Sequence, residues 1–193
     1  MALAQSSSLA SPTPGHQAFL LISSVLSPMK LWASIEQQWP ELAPHDVQCL
    51  WSAPLYGRQG AGLYLTASLR EQIESVAELL QQGIAGCEVD LRLCKNDGHS
   101  HPLIDPLLSH PVQGLVAISL LAEAQTRESN IVGDLQLLPG VQQVRACYGE
   151  TDVLMLLAAS DLDAFREVLV QRIRGADGVA TTSTRLVYAL HGG

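Results

Sequence analysis

Positive charge, aromatic residues and long apolar runs are all scarce in this sequence. Lys and Arg number 11 against 19 Asp and Glu, for a net charge of −8. The deficit is shared: eight acidic and four basic residues precede Lys95, and eleven and seven lie from Lys95 onward. Phosphate binding needs clustered Lys and Arg, so direct nucleic-acid binding is not expected. No apolar run approaches the roughly eighteen residues that a membrane span needs, so no membrane partner is expected. The first fifteen residues, Met1 to Gly15, have neither a positive start nor an apolar core of signal-peptide length. They read as a disordered tail ahead of a soluble, cytoplasmic protein.

Cysteine pairs are missing as well. Cys49, Cys87, Cys94 and Cys147 form no Cys-x-x-Cys, which excludes zinc-finger and thioredoxin patterns. Cys49, Cys87 and Cys147 lie in or beside apolar strand-like runs, where a reduced thiol acts as a small hydrophobe. There is no Gly-x-Ser-x-Gly elbow and no phosphate-cradling glycine loop. No catalytic residues and no cofactor are assigned, and a non-enzymatic protein is expected.

What is present is core-forming material. Apolar residues make up 47% of the chain and charged residues 16%, the balance of a folded protein. Ala18 to Leu26 suits a buried strand, and Ser27-Pro28 starts a helix with Leu31, Ile35 and Trp39 on one face, ended by Pro40. Val47, Cys49 and Trp51 alternate as a strand, Pro54 to Gly60 makes a hairpin loop, and Leu63 and Leu65 continue as a strand. Ser68 and Glu71 form a capping box before a stripe of Leu69, Ile73, Val76 and Leu80. Gly83 and Gly86 close this helix, and Val89, Leu91 and Leu93 form a fourth strand. The order is β-α-β-β-α-β, over residues 16–94.

Residues 95–113 have linker composition. The same order then repeats over 114–193. Leu115 to Leu121 is a strand, and Ile131, Leu135 and Leu138 mark a helix ended by Pro139-Gly140. Val144, Ala146 and Tyr148 alternate, Gly149-Glu150-Thr151-Asp152 connects, and Val153 to Ala159 is apolar on both sides. A helix capped at Ser160 carries Leu162, Phe165, Leu169 and Ile173, and Val179 to Leu190 is the last strand. Ser68 pairs with Ser160 and Gly86 with Gly178, each 92 residues apart (160 − 68 and 178 − 86), as an internal duplication would give.

The expected class is therefore α+β: tandem ferredoxin-like βαββαβ units of the dimeric α/β-barrel type, with sheets packed face to face. A βαββαβ unit covers only one face of its sheet with helices. Val153, Met155 and Leu157 point one way, and Leu154, Leu156 and Ala158 the other. The second apolar face needs a mate, from the same chain or from another, and homo-oligomerisation or a regulatory protein partner is expected.

The stretch from Leu115 to Leu190 resembles the ligand-binding (RAM) domain of the Lrp/AsnC transcription regulators. The features that carry the resemblance are Leu138-Pro139-Gly140-Val141, Gly149-x-x-Asp152 leading into an apolar strand, a Gly178-Val179 turn and the hydroxyl-rich Thr181-Thr182-Ser183-Thr184. The family places a helix-turn-helix ahead of this domain, whereas residues 16–94 read as a second, degenerate ferredoxin-like unit. The resemblance implies a small-molecule pocket at a subunit interface, often for amino acids. By position it implicates Gly149, Glu150, Thr151 and Asp152, with Thr181, Thr182, Ser183 and Thr184 as lesser candidates. Gly149 allows close backbone approach, Asp152 can accept from an ammonium, and hydroxyls can orient a carboxylate. The competing role for Gly149 and Asp152 is to make the turn itself.

Asp97, His99, His101, Asp105 and His110 are residue types that can hold a metal, but they lie in a Pro-rich segment expected to lack fixed geometry, so no metal site is assigned. Trp32, Trp39 and Trp51 fit core or interface positions. The expected function is sensing or regulation: a small-molecule effector of amino-acid type changes assembly or protein contacts. The alternatives are a structural oligomerisation module without ligand and a dimeric α/β-barrel enzyme or haem-binding protein.

Overall fold

The computed structural model describes residues 15–42, 46–57, 59–95 and 110–187. The chain divides into two compact units, residues 1–94 and 95–193. The expected tail through Pro14, most of the expected linker and the end of the expected last strand lie outside the described residues. Each unit is α+β, with one antiparallel four-stranded sheet.

In unit 1 the strands are β1 (His16–Ser23), β2 (Val47–Pro54), β3 (Gln59–Ala67) and β4 (Glu88–Leu93), ordered β2-β3-β1-β4. Helix α1 (Pro28–Leu42) follows β1, and α2 (Arg70–Gly83) follows β3. Strand residues alternate between faces, so Ala18, Leu20, Ile22, Leu63 and Leu65 meet Leu31, Trp32, Ile35, Ile73, Val76 and Leu80 of the helices. Phe19 and Tyr64, directly opposite in register, lie on the other face and stack at 4.4 Å between centroids. Both are buried, as are Leu21 and Trp51.

Two helix ends differ from the sequence reading. Helix α1 runs two residues past Pro40, because a proline in the last turn gives up one backbone bond without breaking the preceding turns. Helix α2 is capped not by Ser68 and Glu71 but one residue later. The Leu69 amide donates to Gln72 Oε1 at 2.9 Å, so glutamine closes the free end.

Unit 2 repeats the topology with β5 (Val112–Leu120), β6 (Val141–Ala146), β7 (Val153–Ala159) and β8 (Val179–Leu186), ordered β6-β7-β5-β8. Strand β5 thus begins within the stretch read as linker. Helix α3 (Glu128–Gln136) follows a 3-10 segment at Ala122–Arg127, and α4 (Leu162–Glu167) continues as π-helical turns over Val168–Ile173. Val116, Ile118, Val144, Val153, Met155 and Leu157 pack under Ile131, Leu135, Phe165, Leu169 and Ile173. Every residue of β7 is buried, including Leu154, Leu156 and Ala158 on the face turned from the helices. Helix α4 is capped by Asp161, which accepts from the Ala164 amide at 2.8 Å, rather than by Ser160, whose hydroxyl donates to Asp161 instead. Gly86 (φ +62°) and Gly178 (φ +91°) occupy the same turn in the two units, each in the left-handed region that glycine adopts without cost.

Candidate functional site

The β6–β7 connection is built by one carboxylate and one glycine. Gly149, at φ +115°, turns the chain, and the Cys147 amide donates to the Asp152 carbonyl at 2.7 Å to close the hairpin. The Asp152 side chain then reaches across to the neighbouring strand. Its Oδ2 accepts from the Leu120 amide at 2.7 Å, while its own amide donates to the Ile118 carbonyl at 3.2 Å. The pairing of β5 with β8 slips between Ser119 and Leu120, and the carboxylate takes up the amide at that irregularity. Asp152 is thus a structural acceptor through Oδ2, with Oδ1 free of protein partners among the described residues. Gly149 and Glu150 are exposed, and Thr151 and Asp152 half-buried, so the hairpin presents an open, acidic edge.

The hydroxyl-rich strand lies two strands away. Val153 is opposite Ile118, and Ile118 opposite Thr182, which puts the hairpin and the start of β8 at one end of the sheet, about 10 Å apart by strand spacing. Alternation divides the four hydroxyls between faces. Thr182 and Thr184 are opposite Ile118 and Val116 on the helix side, whereas Thr181 and Ser183 face away. Thr182 is already engaged, accepting from Arg174 Nε at 2.8 Å, and Thr184 Oγ1 is buried without a partner. A single ligand on one face cannot touch all four, and Thr181 and Thr182 are the pair nearest the hairpin.

Three residues around the hairpin had no site role in the sequence reading. Tyr148 is 60% exposed, and Lys95 Nζ lies 5.6 Å from its ring centroid. Lys95 also pairs with Glu128 at 2.6 Å and donates its amide to the Ala146 carbonyl at 2.8 Å. Strand alternation flags Tyr148, but nothing local joins Lys95 to Glu128, 33 positions on.

Of the histidine-rich set, Asp97, His99, His101 and Asp105 lie outside the described residues, and His110 is half-buried. No metal-binding group of three is present among the described residues. All four cysteines are free thiols. Burial pushes the Cys49 thiol up to about 12, outweighing hydrogen bonds with Ser52 and the Trp51 carbonyl. The Cys87 thiol is also raised, by burial first and by the Glu88 charge second. Neither has the lowered value of a reactive cysteine. Trp32, Trp39 and Trp51 are all buried.

Comparison with known protein families bears on this hairpin directly. Residues 113–190 match the Lrp/AsnC ligand-binding domain. That Lrp/AsnC-like segment spans β5 to β8 and contains both Pro139-Gly140-Val141 and Gly149-x-x-Asp152. A comparison with curated proteins gives no match. Among solved structures, Escherichia coli AsnC is 18% identical, covering 64% of this chain and 74% of its own, at a TM-score of 0.39. A transcriptional regulator from Neisseria meningitidis, solved as an L-Met complex, is 18% identical over 64% of this chain and 73% of its own, at 0.40. A mutant chlorite dismutase from Candidatus Nitrospira defluvii is 12% identical, covering 93% of this chain and 94% of its own, at 0.59. The last shows a shared fold across both units and no more than a fold. The N-terminal unit, by contrast, lies outside the Lrp/AsnC match.

Proposed function

We propose that unit 2 is a small-molecule sensing module whose effector is of amino-acid type. The chain, on this reading, acts through oligomerisation and protein contacts rather than by binding DNA itself. The observation that carries the reading is the match of residues 113–190 to a ligand-binding domain. The hairpin chemistry supports it. Asp152 Oδ1 and the exposed Glu150 offer acceptors to an ammonium group, Gly149 leaves backbone open, and Thr181 offers a hydroxyl at the same end of the sheet, two strands away. Unit 1 in the place of a DNA reader, together with the net charge of −8, supports an indirect role.

Thermal-shift screening of the full chain against the amino acids tests this reading. A ligand that binds only the folded state raises the melting temperature with concentration. Asp152→Asn and Glu150→Gln should abolish the shift of at least one hit; an unchanged melting temperature across the panel, or shifts that all survive both substitutions, would overturn the proposal. The fold shared with a chlorite dismutase favours one second reading, an enzyme or haem protein of that architecture. Haem added to the purified chain should then give a saturable visible band, and its absence would remove that reading.

A further inference from the structure

Helix α4 does not keep α-helical winding. Over Val168–Ile173 it widens to π-helical turns, with the Arg174 amide donating to the Leu169 carbonyl five residues back. Such winding is rare and recurs at functional sites. The duplication supplies an internal control. Helix α2 of unit 1, bounded by the same Ser and Gly landmarks, is α-helical throughout. Its buried residues Ile73 and Leu80 are seven apart, whereas Phe165 and Ile173 are eight apart. The Ser and Gly landmarks are 18 residues apart in both units (86 − 68 and 178 − 160), so the π turn adds no residue and instead coincides with a last buried position one place later. At the 92-residue offset Arg172 corresponds to Leu80 (172 − 80), but Ile173 takes the core place and Arg172 is turned out.

What Arg172 meets there is a cavity of about 280 Å³ between the π turn and α3. Its floor is aliphatic, formed by Ile131, Leu135 and Leu138. The exposed Arg127–Asp177 ion pair, at 3.0 Å, also lines the cavity. Asp134 and Asn130 stand on the α3 wall, and Arg172 on the other. None of these three side chains has a protein partner among the described residues. Two arginines balance two aspartates, so the lining is neutral overall while offering one unpaired charge of each sign.

We propose that this groove binds a small aliphatic zwitterion, its carboxylate on Arg172, its ammonium on Asp134 and its side chain on the aliphatic floor. The volume, near the lower end of small-molecule sites, admits one amino-acid-sized ligand. The groove lies on the helix side of unit 2 and does not depend on the hairpin reading.

The test uses the full chain labelled with 15N and titrated with L-leucine. Saturable amide shifts should cluster at residues 130–138 and 172–177. Arg172→Gln and Asp134→Asn should each weaken binding by about tenfold through loss of a charge-assisted bond, while Arg166→Gln, the same charge change on the exposed face of α4, should leave it unchanged. Leucine analogues lacking the ammonium (4-methylpentanoate) or the carboxylate (3-methylbutylamine) should bind at least about tenfold more weakly. No saturable shifts, shifts confined to other residues, or equal binding by Arg172→Gln would overturn the proposal.

Discussion

Replacing Asp152 by alanine should destabilise unit 2 even in the absence of any ligand. The carboxylate accepts the Leu120 amide at 2.7 Å, at the point where β5 slips out of register with β8. Leu120 is only 6% exposed, so water cannot readily replace the lost acceptor. A buried donor left unpaired costs about 1–3 kcal/mol, and bonds to a charged acceptor sit at the upper end of such ranges. Asp152→Ala should therefore lower the unfolding free energy by roughly 1–3 kcal/mol. Asp152→Asn keeps an acceptor oxygen in the same place and should cost less than about 1 kcal/mol. Urea denaturation followed by circular dichroism measures both, with an unchanged slope showing that the surface exposed on unfolding is the same. Wild-type stability in Asp152→Ala would refute the structural role assigned to the carboxylate. The Asp152→Asn variant then separates the two roles: it should remain folded yet lose affinity for an ammonium-bearing effector.

Further outcomes follow from local geometry. The Ala164 amide, with help from the Ser160 hydroxyl, holds the Asp161 carboxyl below its ordinary value of 3.8. Because the folded value is the lower one, the stability this cap contributes is complete above the unfolded value and is lost as pH falls through the folded one. Asp161→Ala should thus be less stable than wild type at neutral pH, with a deficit that shrinks on acidification. Asp161→Asn, which can still cap, should lose that acid-linked component, and a pH-independent deficit in alanine would contradict this. Gly140 sits at φ +78°, and a methyl group there would run into the Ala158 carbonyl. Gly140→Ala should cost more than about 2 kcal/mol by thermal or chemical denaturation. Cys49, with its thiol pushed up to about 12, should resist alkylation at pH 8 in the folded chain and react only on unfolding, which mass spectrometry would show.

The order of elements is legible because the residues that set it act locally. Alternating apolar positions define β2, β4 and β6, and four-residue spacing defines α1 and α2. Cap residues are less legible. Ser68 and Ser160 both occupy plausible positions, yet Gln72 and Asp161 make the bonds, since a one-residue shift exchanges which side chain faces the free amides. The turn role of Gly149 and Asp152 is readable from residue type, but the bond to Leu120 spans 32 positions and depends on a strand slip that no local pattern records. The Lys95–Glu128 pair is hidden in the same way. The π turn left no local trace: Phe165, Leu169 and Ile173 are each four apart, as are the buried Leu31, Ile35 and Trp39 of the regular helix α1. The hydroxyl run at Thr181–Thr184 shows the limit of composition, because strand alternation sends its members to opposite faces.

A crystal structure of the full chain grown with the amino acid giving the largest thermal shift tests the sensing proposal most directly. Density for that ligand should lie against Gly149–Asp152, with its ammonium within hydrogen-bond distance of Asp152 Oδ1. An empty hairpin in crystals where the same ligand is bound elsewhere on the chain would contradict it.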